Sequence, residues 1–218
     1  MDVLYQDTRI VVAVKPAGVV STDEPGGMPE LLRAHLHTDC IRTVHRLDRP
    51  VGGVMVYAKT AKEAARLTQS MGEGGMQKTY LAVLTGCPEE TSGTLEDLLF
   101  HDRVKNKTYV VRRPRGGVKK AVLSYEILAE AEGLSLARVR LQTGRTHQIR
   151  VHMASIHHPV AGDPVYGPHN CITSLHGQCL HAKTLGFVHP ITGEQLRFDS
   201  ELPDYFTHFL ATLRRKNT

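Results

Sequence analysis

Asp48 is the first residue in this chain whose surroundings point to chemistry. It stands between Arg46 and Arg49, and the pair Gly52-Gly53 follows it closely. Neighbouring cations keep a carboxylate ionised, and an ionised carboxylate can act as a nucleophile, a base or an electrostatic stabiliser. The glycines allow the backbone to turn tightly or to approach another group closely. The alternative interpretation is a structural carboxylate paired with arginine.

A second polar run extends from Gln142 to His152 and is rich in guanidinium, imidazole and amide donors. Arg145, His147 and Arg150 lie within it. The run follows a predicted strand and begins a predicted helix, and the free N–H groups at a helix N-terminus add affinity for anions. The pattern therefore favours a negatively charged ligand.

The positive charge of the chain is concentrated in the segment from Arg103 to Lys120, called here the basic segment. The segment contains eight cations and no acid, although the net charge of the whole chain is only +5. Tyr109, Pro114 and Gly116-Gly117 give it the composition of an exposed loop or hairpin that can follow a phosphate backbone and offer a ring for stacking. A solvated loop without a ligand is the alternative. The cations are Arg103, Lys105, Lys107, Arg112, Arg113, Arg115, Lys119 and Lys120.

Length and composition predict one globular domain in the cytoplasm. The chain has 218 residues, of which 41% are hydrophobic and 22% charged. The apolar stretch Ile10 to Val14 is far shorter than the ~18 residues of a membrane span, and no basic region precedes it as in a signal peptide. The four cysteines are widely spread, which predicts reduced thiols and no disulfide framework.

Common cofactor and hydrolase motifs are missing from the sequence. It has no phosphate loop, no complete dinucleotide fingerprint and no nucleophile elbow, so we expect no cofactor. Cys171, His176, Cys179 and His181 are residue types that suit zinc, but their spacing is not that of a standard zinc finger.

Hydrophobic periodicity predicts strands and helices in an irregular order. The expected strands are Ile10–Lys15, Val54–Ala58, Lys78–Leu84 and Ser135–Gln142, and the expected helices are Met28–Leu36, Thr60–Met71, Arg145–His157 and one that begins at Pro203. This order predicts an α+β fold with a mixed, largely antiparallel central sheet and flanking helices and loops.

Several motifs together resemble the RluA-type RNA pseudouridine synthases, and the resemblance covers nearly the whole chain from Val3 to about Phe206. Their order and spread also match that family, with one departure: Val51-Gly52 stands where many relatives have Thr-Ser. The motifs are His45–Pro50, Lys78–Ala82, Gln142–His152, Ala161–Gly167 and Leu180–Ala182, together with the opening Leu4–Gly18.

The resemblance implies a catalytic fold of one domain, residues 1–218, without a separate N-terminal RNA-binding module. The implied reaction converts a uridine of ribosomal or transfer RNA to pseudouridine by breaking the N1–C1′ bond and joining C5 to C1′. Asp48 would act at the sugar or the base, and Arg145 would pair with it and keep it ionised. Tyr80 would stack on the uracil and handle the C5 proton; a core tyrosine is the alternative.

The target uridine must leave the base stack before it can react. By resemblance, Arg46 fills the gap that the flipped nucleotide leaves. The expected RNA contacts also include His147, Arg150 and the basic-segment residues Arg103, Lys105, Lys107, Arg112, Arg113 and Arg115. We expect a monomer that recognises a folded stem-loop, without metal and without a membrane.

Two other functions remain open from the sequence. A non-catalytic RNA-binding protein on the same fold would bind RNA without changing uridine. A metal-dependent nuclease built on the 13 histidines would be sensitive to EDTA and would shorten its RNA.

Overall fold

The chain folds into two compact units. The computed structural model describes residues 1–167, 178–204, 206 and 207. Unit 1 comprises Met1–Lys78 and Ala182–Glu201, and unit 2 comprises Thr79–His181 and the chain from Leu202 onward. Among the described residues, no helix is both long and apolar enough to cross a membrane.

Unit 1 is built on a sheet whose strand β2 pairs antiparallel with strands on both sides. The strands are β1 (Val3–Gln6), β2 (Ile10–Lys15), β3 (Arg42–Thr43), β4 (Gly52–Ala58), most of β10 (Leu180–Val188) and β11 (Gln195–Asp199). In the register of β2 and β4, Ile10 lies opposite Ala58 and Lys15 opposite Gly53. Every residue of β4 is buried, and its valines pack with Leu67 and Phe187 in the core of this unit.

Two helices cover unit 1, and both begin where the sequence predicts. Helix α1 spans Met28–Leu36, with a proline in its first turn. Helix α2 spans Ala61–Gly72, and the Thr60 hydroxyl oxygen accepts a hydrogen bond from the Glu63 amide at 3.3 Å. The capping box therefore sets the start of α2.

The described part of unit 2 is built on five strands, several of which pair antiparallel. Its strands are most of β5 (Met76–Thr85), β6 (Ser92–Asp102), β7 (Lys107–Val111), β8 (Val118–Ala131) and β9 (Leu134–Leu141), arranged in the order β5-β9-β8-β6-β7. Val83, Leu136, Ala161 and Phe206 belong to one core cluster. Helix α3 (Gln148–Ser155) adds Val151 to a second cluster with Leu99 and Ala121.

The α+β class with largely antiparallel pairing is confirmed, and two helix predictions need comment. Helix α3 begins at Gln148 and not at Arg145, because His147 has a left-handed backbone with φ of 54°. Asp204, Phe206 and Thr207 are helical as the Pro203 prediction requires, whereas Phe209, Leu210 and Leu213 lie outside the described residues.

Candidate active site

Asp48 is half-buried in the segment of unit 1 that connects β3 to β4. Its carbonyl accepts a hydrogen bond from the Val51 amide at 2.9 Å. On the other side, the Ser21 hydroxyl donates to the Leu47 carbonyl at 2.7 Å and accepts from the Leu47 amide at 2.9 Å. The backbone is thus fixed on both sides of the carboxylate.

Lys15 ties the same segment to the end of β2. It is fully buried, and its ammonium donates to the carbonyls of Pro16 at 3.0 Å, Val19 at 2.5 Å and Arg49 at 3.1 Å. Burial lowers the pKa of Lys15 to about 8, although the negative charge of Asp48 opposes that shift. The ammonium therefore lies close enough to Asp48 to interact with it electrostatically.

His45 is buried and serves as a hydrogen-bond acceptor within the core. Its Nε2 accepts from the Val56 amide at 3.3 Å, which assigns the ring proton to Nδ1. Burial, and then the nearby charge of Lys78, lowers the pKa of His45 well below its usual value. A neutral imidazole in this position is part of the scaffold.

The predicted close approach at the glycine pair is confirmed at Gly53. Its φ is 127°, and a Cβ built there would lie 2.2 Å from the Ala182 carbonyl oxygen. A side chain at this position would separate β4 from β10. Arg46, by contrast, is exposed to solvent although its neighbours His45 and Leu47 are buried.

Tyr80 lies on β5 and is only 7% exposed. The neighbouring core residues Ala82 and Val83 of this strand are fully buried. Such burial agrees with both interpretations of the sequence, a core tyrosine and a ring that stacks on a base.

Arg145 lies in a turn that Gln148 organises from the first residue of α3. Gln148 is 2% exposed, and its Oε1 accepts from the Thr143 hydroxyl at 2.8 Å and from the Arg145 amide at 2.9 Å. Its Nε2 donates to the Val122 carbonyl at 3.0 Å. Arg145 itself is exposed, and its Nε donates to the Lys120 carbonyl at 3.0 Å. The backbone under the guanidinium is therefore fixed.

Arg150, which the sequence analysis places among the RNA contacts, is buried in an ion pair. Its Nε and Nη2 lie 2.6 and 2.9 Å from the two carboxylate oxygens of Asp163. Burial would raise the pKa of Asp163, but the Arg150 guanidinium and two backbone amides lower it below its usual value. His147 is also buried, and its Nδ1 lies 3.0 Å from the Tyr166 hydroxyl. The structure therefore buries two side chains that the sequence analysis places on the RNA surface.

The basic segment forms the exposed hairpin that its composition predicts. The turn between β6 and β7 contains Arg103 and Lys105, and the connection from β7 to β8 contains Arg112, Arg113 and Arg115. All five are exposed, and none forms an ion pair in the part of the chain that the structure describes. The Arg115 guanidinium lies 4.6 Å from the centre of the Phe100 ring. Lys107 is half-buried, and its Nζ donates to the Val165 carbonyl at 3.2 Å.

Two of the four candidate zinc ligands lie among the described residues. Cys179 and His181 are buried, whereas Cys171 and His176 lie outside the described residues. Within the described ranges, no three histidine, cysteine, aspartate or glutamate side chains are grouped so that they could hold a metal ion.

Comparison with known proteins identifies the family. The sequence model of the RNA pseudouridylate synthase family matches residues 9–155. The chain belongs to this family. A protein of Bacillus subtilis named "Uncharacterized RNA pseudouridine synthase YlyB" is 33% identical, over 99% of this chain and 73% of its own length. "Ribosomal large subunit pseudouridine synthase D" of Zymomonas mobilis is 35% identical, over 93% of this chain and 69% of its own length.

A solved structure supports the same assignment. "Human RNA Pseudouridylate Synthase Domain Containing 4" superposes with a TM-score of 0.80 at 25% identity, covering 98% of this chain and 93% of that one. The predicted fold and reaction class are thus confirmed: this synthase acts on RNA and isomerises uridine to pseudouridine. Nothing in the comparisons favours a non-catalytic RNA-binding protein.

Sequence reasoning missed the supporting role of three residues. Gln148 and Tyr166 lie in motifs that carry the family resemblance, but the residues they bond, Val122 and Thr108, are distant in the sequence. For Lys15, the available signal was a lysine at the end of a buried strand, directly before Pro16.

Proposed function

We propose that this synthase modifies a uridine in a folded stem-loop of large-subunit ribosomal RNA. The observation that carries this proposal is the name of relatives that are 34 to 36% identical over most of the chain, ribosomal large subunit pseudouridine synthase D. The exposed cations of the basic segment suit a structured polyanion. Transfer RNA offers loops of similar shape and is the second substrate class to test.

Asp48, Tyr80 and Arg145 are the proposed catalytic residues. Breaking the N1–C1′ bond develops positive charge at the anomeric carbon, which the Asp48 carboxylate stabilises or captures. The uracil then turns, its C5 bonds to C1′, and the proton leaves C5. The fixed backbone around Asp48 supports this assignment, because a carboxylate held in place needs no reorganisation during the reaction.

The roles of Tyr80 and Arg145 follow from their chemistry. Tyr80 stacks on the uracil, and its phenol takes part in removing the proton from C5. Arg145 keeps Asp48 ionised through the charge of its guanidinium. The Gln148 hydrogen bonds support the second role, because they fix the backbone from which this side chain extends.

Base flipping and RNA binding are assigned to exposed cations. Arg46 fills the gap that the flipped uridine leaves in the stack. The phosphate contacts come from the basic segment, through Arg103, Lys105, Lys107, Arg112, Arg113 and Arg115. The exposure of all of these except the half-buried Lys107 supports this role. The burial of His147 and Arg150 supports a positioning role for those two residues.

Incubation of the enzyme with transcripts of large-subunit ribosomal RNA and, separately, of transfer RNAs tests the substrate. After digestion, the nucleosides are separated chromatographically and pseudouridine is measured. We expect about one pseudouridine per molecule of the ribosomal transcript. Conversion of transfer RNA alone would contradict the proposed substrate and leave the reaction class intact.

The proposed state of the enzyme is a cytoplasmic monomer. Light scattering on the purified protein should give a mass close to 24.1 kDa. A mass that doubles across the micromolar concentration range would contradict the monomer.

A further inference from the structure

Thr108 connects the basic segment to other parts of unit 2. It lies at the start of β7 and is only 1% exposed, although Arg103 and Lys105 in the preceding turn are exposed. Its amide donates to the Tyr166 hydroxyl at 2.7 Å, and its own hydroxyl donates to the Thr146 carbonyl at 2.9 Å. The hairpin is therefore bonded to two segments outside it, next to its turn.

The Tyr166 hydroxyl is the point where these segments meet. Besides the Thr108 amide, it contacts Nδ1 of His147 at 3.0 Å, and His147 lies two residues after Arg145. Burial raises the pKa of Tyr166, so the hydroxyl keeps its proton and can both accept and donate. One phenol thus links β7 to the end of the Arg145 turn.

Two cations approach the same ring. The Arg150 guanidinium carbon lies 5.0 Å and the Lys107 Nζ lies 5.5 Å from the ring centre of Tyr166. Lys107 also donates to the carbonyl of the neighbouring Val165 at 3.2 Å. A cation within about 6 Å of an aromatic centroid is attracted by it. These contacts add to the attachment of the hairpin next to its turn.

The Arg150–Asp163 ion pair fixes the loop that contains Tyr166. Asp163 Oδ1 accepts from the amides of Val165 at 2.9 Å and Tyr166 at 3.2 Å. The same carboxylate binds the Arg150 guanidinium through both oxygens. The phenol therefore projects from a loop that is itself anchored to α3.

We infer that Tyr166 is a positioning residue that holds the basic segment in a fixed place relative to the Arg145 turn. The inference rests on the proposed role of the basic segment in RNA binding. Phosphate contacts along the hairpin then fix the RNA with respect to Arg145. Without the hydroxyl, the hairpin keeps its positive charges but loses the hydrogen bond between the Thr108 amide and Tyr166.

The test is a double-mutant cycle in the Asp48→Asn background, which prevents turnover during the binding measurement. Tyr166→Phe removes only the hydroxyl, and Arg103→Gln with Lys105→Gln neutralises the hairpin turn. The dissociation constant for a large-subunit ribosomal RNA transcript is measured over a range of salt concentrations. Tyr125→Phe is the matched control, because it removes a phenol hydrogen bond to the Glu90 carbonyl at 3.1 Å, which lies outside this network.

We expect Tyr166→Phe to raise the dissociation constant about 5- to 10-fold and to reduce the salt slope by about one phosphate contact. In the variant with the neutral turn, Tyr166→Phe should have no further effect, and Tyr125→Phe should leave both quantities unchanged. Hydrogen exchange at residues 107–111 should be faster in Tyr166→Phe, while the melting temperature shows that the protein remains folded.

Two results would overturn the inference alone, and a third would contradict the proposed RNA surface on which it rests. The inference is wrong if Tyr166→Phe leaves binding unchanged, or if it weakens binding equally with and without the hairpin charges. If neutralising the hairpin turn leaves the dissociation constant unchanged, the proposed RNA surface fails and the inference fails with it.

Discussion

The backbone amide of Arg145 donates a hydrogen bond to Oε1 of Gln148 at 2.9 Å. Gln148 thereby closes the turn between β9 and α3 and also accepts from the Thr143 hydroxyl within it. Its bond to the Val122 carbonyl attaches the turn to β8. The position of the proposed catalytic guanidinium thus depends on an uncharged, buried residue.

Replacing Gln148 should impair catalysis more than RNA binding. Gln148→Leu removes three hydrogen bonds, those to the Arg145 amide, the Thr143 hydroxyl and the Val122 carbonyl. We expect kcat to fall about 100-fold, because a misplaced catalytic group costs about that much, while KM changes less than 3-fold, about the scatter of such measurements. Steady-state kinetics measure both quantities. Gln142→Leu, at an exposed position of the same run, is the control and should behave like the wild type.

The buried ion pair predicts a large loss of stability when one partner is removed. Asp163→Asn leaves the Arg150 guanidinium buried without a counter-charge, which should lower the free energy of unfolding by about 3 to 5 kcal/mol. Urea denaturation measures the change. Asp23→Asn breaks the exposed pair with Arg33 and should cost less than about 1 kcal/mol. Equal losses for the two variants would contradict this account.

The two glycines at Gly53 and Gly72 should respond oppositely to alanine. Gly53→Ala places a methyl group against the Ala182 carbonyl at a positive φ, so we expect a loss of at least about 3 kcal/mol. Gly72→Ala meets no atom within 4 Å at the end of α2 and should be neutral or slightly stabilising. Thermal denaturation distinguishes the two outcomes.

The buried imidazole of His45 predicts an acid-sensitive fold. Its pKa is low in the folded state because of burial, so below pH ~6.5 the unfolded chain binds one more proton than the folded chain. Stability should therefore fall as the pH decreases from 6.5, by about 1.4 kcal/mol per pH unit for this residue. His45→Gln should reduce that slope by about one proton, whereas His35→Gln, at an exposed position of α1, should not.

Local sequence patterns predicted the bounds of α1 and α2, whereas the start of α3 depends on a residue distant in the sequence. The bounds of α1 and α2 follow from a proline, a capping box and apolar spacing, all of which lie within a few residues. The start of α3 depends on the left-handed His147, whose ring binds Tyr166.

The candidate site shows the same limit. Asp48, Tyr80 and Arg145 can be proposed from the sequence because their motifs are contiguous. Arg150 was expected to contact RNA, but Asp163, 13 residues later, takes its guanidinium into the interior. A guanidinium that binds a phosphate and one that binds a buried carboxylate are identical in sequence, so only the fold distinguishes them.

The central claim, that Asp48 carries the chemistry, is tested by tritium release from RNA labelled at uridine C5. Wild type and Asp48→Asn are compared with EDTA present, and RNA binding by both is measured as a control. We expect the wild type to release tritium and Asp48→Asn to be slower by more than about 1,000-fold at unchanged affinity. Release by Asp48→Asn at the wild-type rate would contradict the account.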